Sequence, residues 1–197
     1  MGSGDFLHTL PTPLSQQARQ FFAIWQGWRG ARRLPQRSDL SKGDLGALAD
    51  SCLLLNIRSA DEIRMENVGR TITEKIGFDL SGMNYLDLTS KENRSWRATL
   101  TIAQAAQPAG VLIYYWLRFP DGAVLPVEFT GAPLYEDGAA QANLILCCAT
   151  GLADTAGRKQ PLDPDSYTEG DGMRFIDIGY GVPPLVPAER QEARPVQ

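Results

Sequence analysis

The sequence predicts an α+β domain: a five-stranded antiparallel sheet with helices packed over one face, an N-terminal helical extension before it and a C-terminal tail after it. Three observations carry that prediction. Two short strand-like runs, 52–58 and 62–68, sit on either side of a polar turn, as in a hairpin. A stretch with helical periodicity, 90–107, comes later in the chain. Three apolar, β-branched and aromatic runs at 111–119, 124–135 and 143–150 then follow one another across short turns, the pattern of an antiparallel meander. Helices segregated to one face of such a sheet make the class α+β. The 197 residues divide into an extension (1–50), a core (51–152) and a C-terminal segment (153–197).

The first helix is expected over 13–30, with Thr12 as its cap and Pro13 in the first turn, where a missing N–H costs nothing. Leu14, Ala18, Phe21, Trp25 and Trp28 recur at four- and three-residue spacing and share a face, and Gly30 is a stop. Residues 34–40 read as an extended connector, after which Ser41 or Asp44 can cap a short helix reaching residue 50, with Leu45 and Leu48 inward. A helix over 69–77 carries Ile72 and Ile76 on one face and closes at Gly77. Residues 78–88 are interrupted by Gly82 and hold small turns around Tyr85. For the helix at 90–107, Thr89 and Glu92 have capping-box spacing, Trp96, Leu100 and Ala103 mark the inner face, and Pro108 ends it. Pro120-Asp121-Gly122 and Glu136-Asp137-Gly138 are turns, and Gly131 with Pro133 marks a bulge or bend. An extra strand is expected near 173–178, and beyond residue 183 the composition is that of a flexible tail.

Composition narrows the function classes. A formal charge of −4 gives no basic footprint for nucleic acid, and Arg29, Arg32, Arg33 and Arg37 read as a solvated helix end. No apolar run reaches membrane-spanning length, and the N-terminus lacks a basic segment followed by an apolar one, so membrane insertion is not expected and a cytoplasmic location is. Three cysteines, Cys52, Cys147 and Cys148, are too few and too irregular for a disulfide framework. On a strand, Cys147 and Cys148 point to opposite faces. The single histidine, His8, lies in the N-terminal tail, which leaves no ligand set for a metal and no imidazole base for a nucleophile. A phosphate-binding glycine loop is also missing. The reading is therefore non-catalytic, with no catalytic residue and no cofactor assigned.

Three short stretches add a resemblance. Pro35-Gln36-Arg37-Ser38-Asp39 matches a P-x-R-x-D pattern, Gly77-Phe78-Asp79-Leu80-Ser81-Gly82 is similar to G-R-D-L-T-G, and Pro133-Leu134-Tyr135-Glu136-Asp137-Gly138 is similar to P-L-x-x-D-G. In that order and on those elements they resemble the PAS-domain family of short alphaproteobacterial proteins, over about 21–151. The chain departs from the family's R-x-x-G-T stretch, having Glu66 for the arginine and Arg70 for the small hydroxyl residue. The resemblance implies a PAS fold and a regulatory or localisation role, and it implies no particular ligand.

Two sets of site residues follow. A pocket between sheet and helices, if it holds a small apolar ligand, draws on Met65, Ile72, Ile76, Phe78, Tyr85, Trp96, Leu100, Tyr114, Trp116 and Phe129. The competing reading of these residues is plain core filling. On 111–119, Leu112, Tyr114 and Trp116 alternate with Val111, Ile113, Tyr115 and Leu117, so the sheet is apolar on both faces. One face meets the domain's helices, and the first helix is expected to cover the other, with Leu14, Phe21, Trp25 and Trp28 as a face toward the sheet, a protein partner or a second copy in a homodimer. The expected function is a sensory or adaptor module acting through protein contacts. The alternative is a small ligand carrier or an uncharacterised enzyme on the same scaffold.

Overall fold

The apolar residues on both faces of the strands require two helical layers, and the computed structural model, which describes residues 14–118, 124–150 and 167–184, has them. The strands are β1 (Cys52–Ile57), β2 (Ile63–Glu66), β3 (Gly110–Arg118), β4 (Val124–Tyr135), β5 (Ala142–Thr150) and β6 (Tyr167–Ile176). They form one sheet in the order β2-β1-β5-β4-β3-β6, with every neighbouring pair antiparallel. The α+β class stands. The sheet has six strands rather than five, because the strand expected at 173–178 begins at Tyr167 and runs along β3.

The helices are α1 (Gln16–Arg29), α2 (Lys42–Leu45), α3 (Arg70–Ile76) and α4 (Lys91–Ala106), with 3-10 turns at Arg37–Asp39, Gly46–Ser51 and Tyr85–Leu88. Ser15, not Thr12, caps α1: its side chain accepts from the Ala18 N–H, and Gly30 ends the helix at positive φ as expected. Ser41 caps α2. Thr89 is not the cap of α4. Ser90 holds that position with no side-chain bond.

The buried stripe of α4 is Ala98, Thr101, Gln104 and Ala105, not the expected Trp96, Leu100 and Ala103. Small side chains let the helix approach the sheet closely, and Trp96 and Leu100 lie half-buried at the margin of the contact. Buried Gln104 fixes the C-terminal end of α4, its Nε2 donating to the carbonyls of Ala109 (3.0 Å) and Gly131 (3.2 Å).

Register runs unbroken through Gly131 and Pro133, and the expected irregularity falls between Leu134 and Tyr135. Pro133 lies beyond the end of the β3 pairing, so its missing N–H removes no ladder bond there. At Gly131 a Cβ would sit 3.0 Å from Val111 Cγ1 and 3.2 Å from Ile145 Cγ2, which explains the glycine by close approach rather than by a bulge. The predicted turn at 120–122 and the tail beyond 184 lie outside the described residues.

Cross-strand partners share a face, so the register sorts the core into two layers. On one side Leu54, Leu112, Ala132, Leu134, Leu144, Leu146 and Cys148 receive α1 through Leu14, Ala18, Phe21, Phe22 and Trp25. On the other side Leu53, Leu55, Ile63, Met65, Val127, Phe129, Ile145 and Cys147 receive α3, the Tyr85–Leu88 turn and α4 through Ile72, Ile76, Leu86, Leu88 and Ala98.

Candidate functional site

The α3/α4 layer gathers part of the predicted pocket. Met65, Ile72, Ile76 and Phe129 are buried in it, and Phe78 and Tyr85 pack against it. The ring of Tyr115 lies 6.3 Å from that of Phe129, and the Arg97 guanidinium sits 5.1 Å over Tyr85. Burial pushes the Tyr85 phenol up. Tyr114 is on the opposite face, in the α1 layer, so it does not join the other pocket residues. Its neighbours Ile113 and Tyr115 pack against the α3/α4 layer instead. Trp116 shares the alternation of Tyr114 on the β3 backbone, and its side chain lies outside the described residues.

The α1 layer is built around aromatic side chains with polar ties at both ends of the helix. Phe21 and Phe22 meet edge to face at 5.2 Å, and the buried Trp25 Nε1 donates to the Pro133 carbonyl at 3.1 Å. Leu14, Phe21 and Trp25 are therefore seated on the chain's own sheet. Trp28 lies half-buried beside them, its Nε1 donating to Asp44 Oδ2 at 2.8 Å.

At the N-terminal end of α1, Glu128 on β4 forms a latch. Its carboxylate accepts from the Ser15 hydroxyl, from the Ser15 N–H at 3.3 Å, from the Tyr114 hydroxyl at 2.9 Å and from the Thr150 hydroxyl at 3.4 Å. Burial, then the bond to Glu128, raises the Tyr114 phenol. At the other end of α1, Arg29 is 1% exposed, donates Nη1 to the Ile178 carbonyl at 2.5 Å and lies 5.5 Å over the Trp25 ring. Burial lowers its pKa. Arg29 is thus a core residue that ties α1 to the segment after β6, not part of a solvated helix end.

The first and second sequence patterns each contact β2, and the third docks on the first. The first and third dock together: Tyr135 N–H donates to the Pro35 carbonyl (3.0 Å), and Ser38 donates its N–H (3.0 Å) and hydroxyl (2.9 Å) to Asp137 Oδ1. Arg37 reaches Glu66 at 2.7 Å and Glu136 at 3.1 Å, so it too leaves the solvated cluster. Glu66 also accepts from Asn56 at 2.8 Å and lies 3.6 Å from Arg58. The acid at 66, a departure from the family pattern, is the partner that closes this ion cluster.

Burial alone would raise the Glu66 pKa, but the bonds from Arg37 and Asn56 and the charges of Arg37 and Arg58 outweigh it and hold the carboxyl below its usual range. The second pattern covers the free edge of β2, through Gly82 N–H to the Met65 carbonyl (2.8 Å) and Met65 N–H to the Met83 carbonyl (3.0 Å). Gly69, the glycine of the R-x-x-G-T stretch, is required by space: a Cβ there would stand 2.3 Å from the Asp50 carbonyl oxygen.

Reading the sequence alone misses Glu128, Gln104 and the pairing of Arg37 with Glu66. The available signal for Glu128 is an isolated acid inside an apolar strand, on the same side as Thr130 and Ala132. Among the described residues no three His, Cys, Asp or Glu side chains are grouped to hold a metal ion, and no helix is long and apolar enough to cross a membrane.

A search of the curated proteins returns no match. The family model described as PAS domain matches residues 14–148, which spans α1, both layers and five of the six strands. Domains of this kind are sensory and signalling modules, generally non-catalytic, that commonly engage other proteins. With that match over most of its length, the chain belongs to the PAS domain family.

Proposed function

We propose that this chain is a non-catalytic sensory or adaptor module of cytoplasmic signalling or localisation, acting through contact with a protein partner or a second copy. One observation supports the reading most. Alternate residues of single strands feed two separate apolar layers: Leu53 and Leu55 belong to the α3/α4 side, Leu54 to the α1 side, and Ile145 and Cys147 alternate with Leu146 and Cys148. Close-packed layers transmit small shifts because their interiors deform little. A change on the α3/α4 side, whether a small apolar ligand or a repacking, reaches α1 through the sheet. The Glu128 latch and the Arg29 tie set how firmly α1 responds.

Native mass spectrometry of freshly purified protein distinguishes this from a ligand carrier. The module reading predicts a concentration-dependent dimer series, whether or not a small apolar ligand is retained. A monomer carrying one retained small molecule per chain at every concentration would overturn it in favour of the carrier.

A further inference from the structure

Cys52 opens β1 and Cys148 lies near the end of β5, and the register sets them directly opposite one another. Cα atoms of directly opposed antiparallel residues lie about 4.5–5.5 Å apart, within the span of about 4.4–6.8 Å that a disulfide bridges. Both side chains belong to the α1 layer and are buried. Cys147 belongs to the other layer, its Sγ bonded to the Ile145 carbonyl at 3.7 Å. All three are free thiols. Contact with the Cys148 sulfur, and then burial, hold the Cys52 thiol far above its ordinary range.

A surface cleft of about 550 Å³ is lined by chain neighbours of the two cysteines, though not by the cysteines themselves. Its walls include Gln16, Gln17 and Gln20 of α1, and also Ser51 and Ala149, the chain neighbours of the two cysteines. Thr150, a partner of Glu128 in the latch, completes that wall. The first turn of α1, which Ser15 and Glu128 pin down, thus lines a cleft beside the chain neighbours of both cysteines.

We propose that Cys52 and Cys148 are a dithiol modification site that closes reversibly into an intrachain β1–β5 disulfide under a hydroperoxide, with the seating of the first turn of α1 setting the rate. One thiolate attacks the peroxide, the O–O bond breaks, and a sulfenic acid forms with release of the first water. The second thiolate displaces hydroxide from the sulfenic sulfur, the S–S bond forms, and protonation gives the second water. The two thiols lose two electrons and two protons in all, and hydrogen peroxide leaves as two waters. The bond would staple an interior strand pair, β1 and β5, on the α1 side of the sheet.

The test is peroxide titration of the full chain, followed by alkylation, intact mass and peptide mapping. The expected product has lost two hydrogens, carries a Cys52–Cys148 link and is restored by dithiothreitol. Cys147→Ala keeps the link, whereas Cys52→Ala and Cys148→Ala lose it. Ser15→Ala, which removes the cap and the hydroxyl donor to Glu128 but leaves the other three donors, should close about fivefold faster, the effect expected of losing about one such bond. A link through Cys147, or higher oxides without a link in both wild type and Ser15→Ala, would overturn the site. Equal rates in wild type and Ser15→Ala would overturn the role given to α1. Mapping the wild-type product decides the site even if a cysteine variant fails to fold.

Discussion

Replacing Trp25 tests whether α1 is an integral layer of the fold or an appendage. The side chain is 0% exposed, its ring lies beneath Arg29, and its Nε1 donates to the Pro133 carbonyl at 3.1 Å. Removing a buried aromatic side chain costs about 3–5 kcal/mol through lost transfer energy and the cavity left behind. The carbonyl left without its donor is included in the observed cost, and it can be isolated: Trp25→Phe retains most of the bulk but strands the acceptor, for about 1–3 kcal/mol. Against a total stability of about 5–15 kcal/mol, Trp25→Ala leaves a marginal protein. For a chain of this size the melting temperature falls by about 6–20 °C.

Trp28→Ala is the control, because its bond to Asp44 is at an exposed position. That variant should cost no more than about 1 kcal/mol. Urea unfolding followed by far-ultraviolet circular dichroism measures all three. If Trp25→Ala unfolds within about 1 kcal/mol of wild type, or if Trp28→Ala costs more than Trp25→Ala, the intramolecular seating of α1 is wrong.

Two further predictions concern the ion cluster and the glycines. Glu66 has a folded-state pKa below its unfolded one, so it contributes stability above the unfolded value, and that contribution is lost as pH falls through the folded value. Asp39, lowered chiefly by its bond from Arg32, acts in the same direction. Urea midpoints between pH 7 and 3 should therefore decline on the acid side, and Glu66→Gln should flatten that decline; an unchanged slope would remove Glu66 from the account. Gly69→Ala forces a Cβ onto the Asp50 carbonyl and should destabilise by about 1–3 kcal/mol. Gly27→Ala, in open space on α1, should stabilise by about 0.5–1 kcal/mol. The order of the two urea midpoints, alanine at 27 above wild type and alanine at 69 below it, checks both.

Local chemistry made much of the fold legible. The stop at Gly30, the cap at Ser41, the Gly77 ending of α3 and the hairpin of β1 and β2 depend on residues within a few positions of each other, and they form as the sequence indicates. The start of α1 was less legible because Thr12-Pro13 is the stronger local signal. Ser15 is the cap because a carboxylate 113 residues away fixes its side chain. Nothing within the helix points to Glu128.

The pocket prediction shows a second limit. Alternation along β3 says that Tyr114 and Ile113 face opposite ways, but not which of them shares a face with Met65. That follows from the register, through Met65–Leu55, Leu55–Ile145, Ile145–Pro133 and Gly131–Val111, and it places Tyr114 with α1. Likewise the large Trp96 and Leu100 are the natural choice for an inner helix face, yet the narrow gap over the sheet accepts Ala98, Thr101 and Ala105.

The proposed function requires α1 to respond to the state of the opposite layer. Hydrogen exchange of Ile72→Ala under native conditions tests it most directly. Ile72 is buried on α3, in the layer that does not include α1, and its truncation costs about 2–5 kcal/mol of packing there. If α1 responds, its amides exchange faster together with those of α3, while amides at the centre of β4 keep their protection. Faster exchange in α3 with α1 unchanged would contradict it.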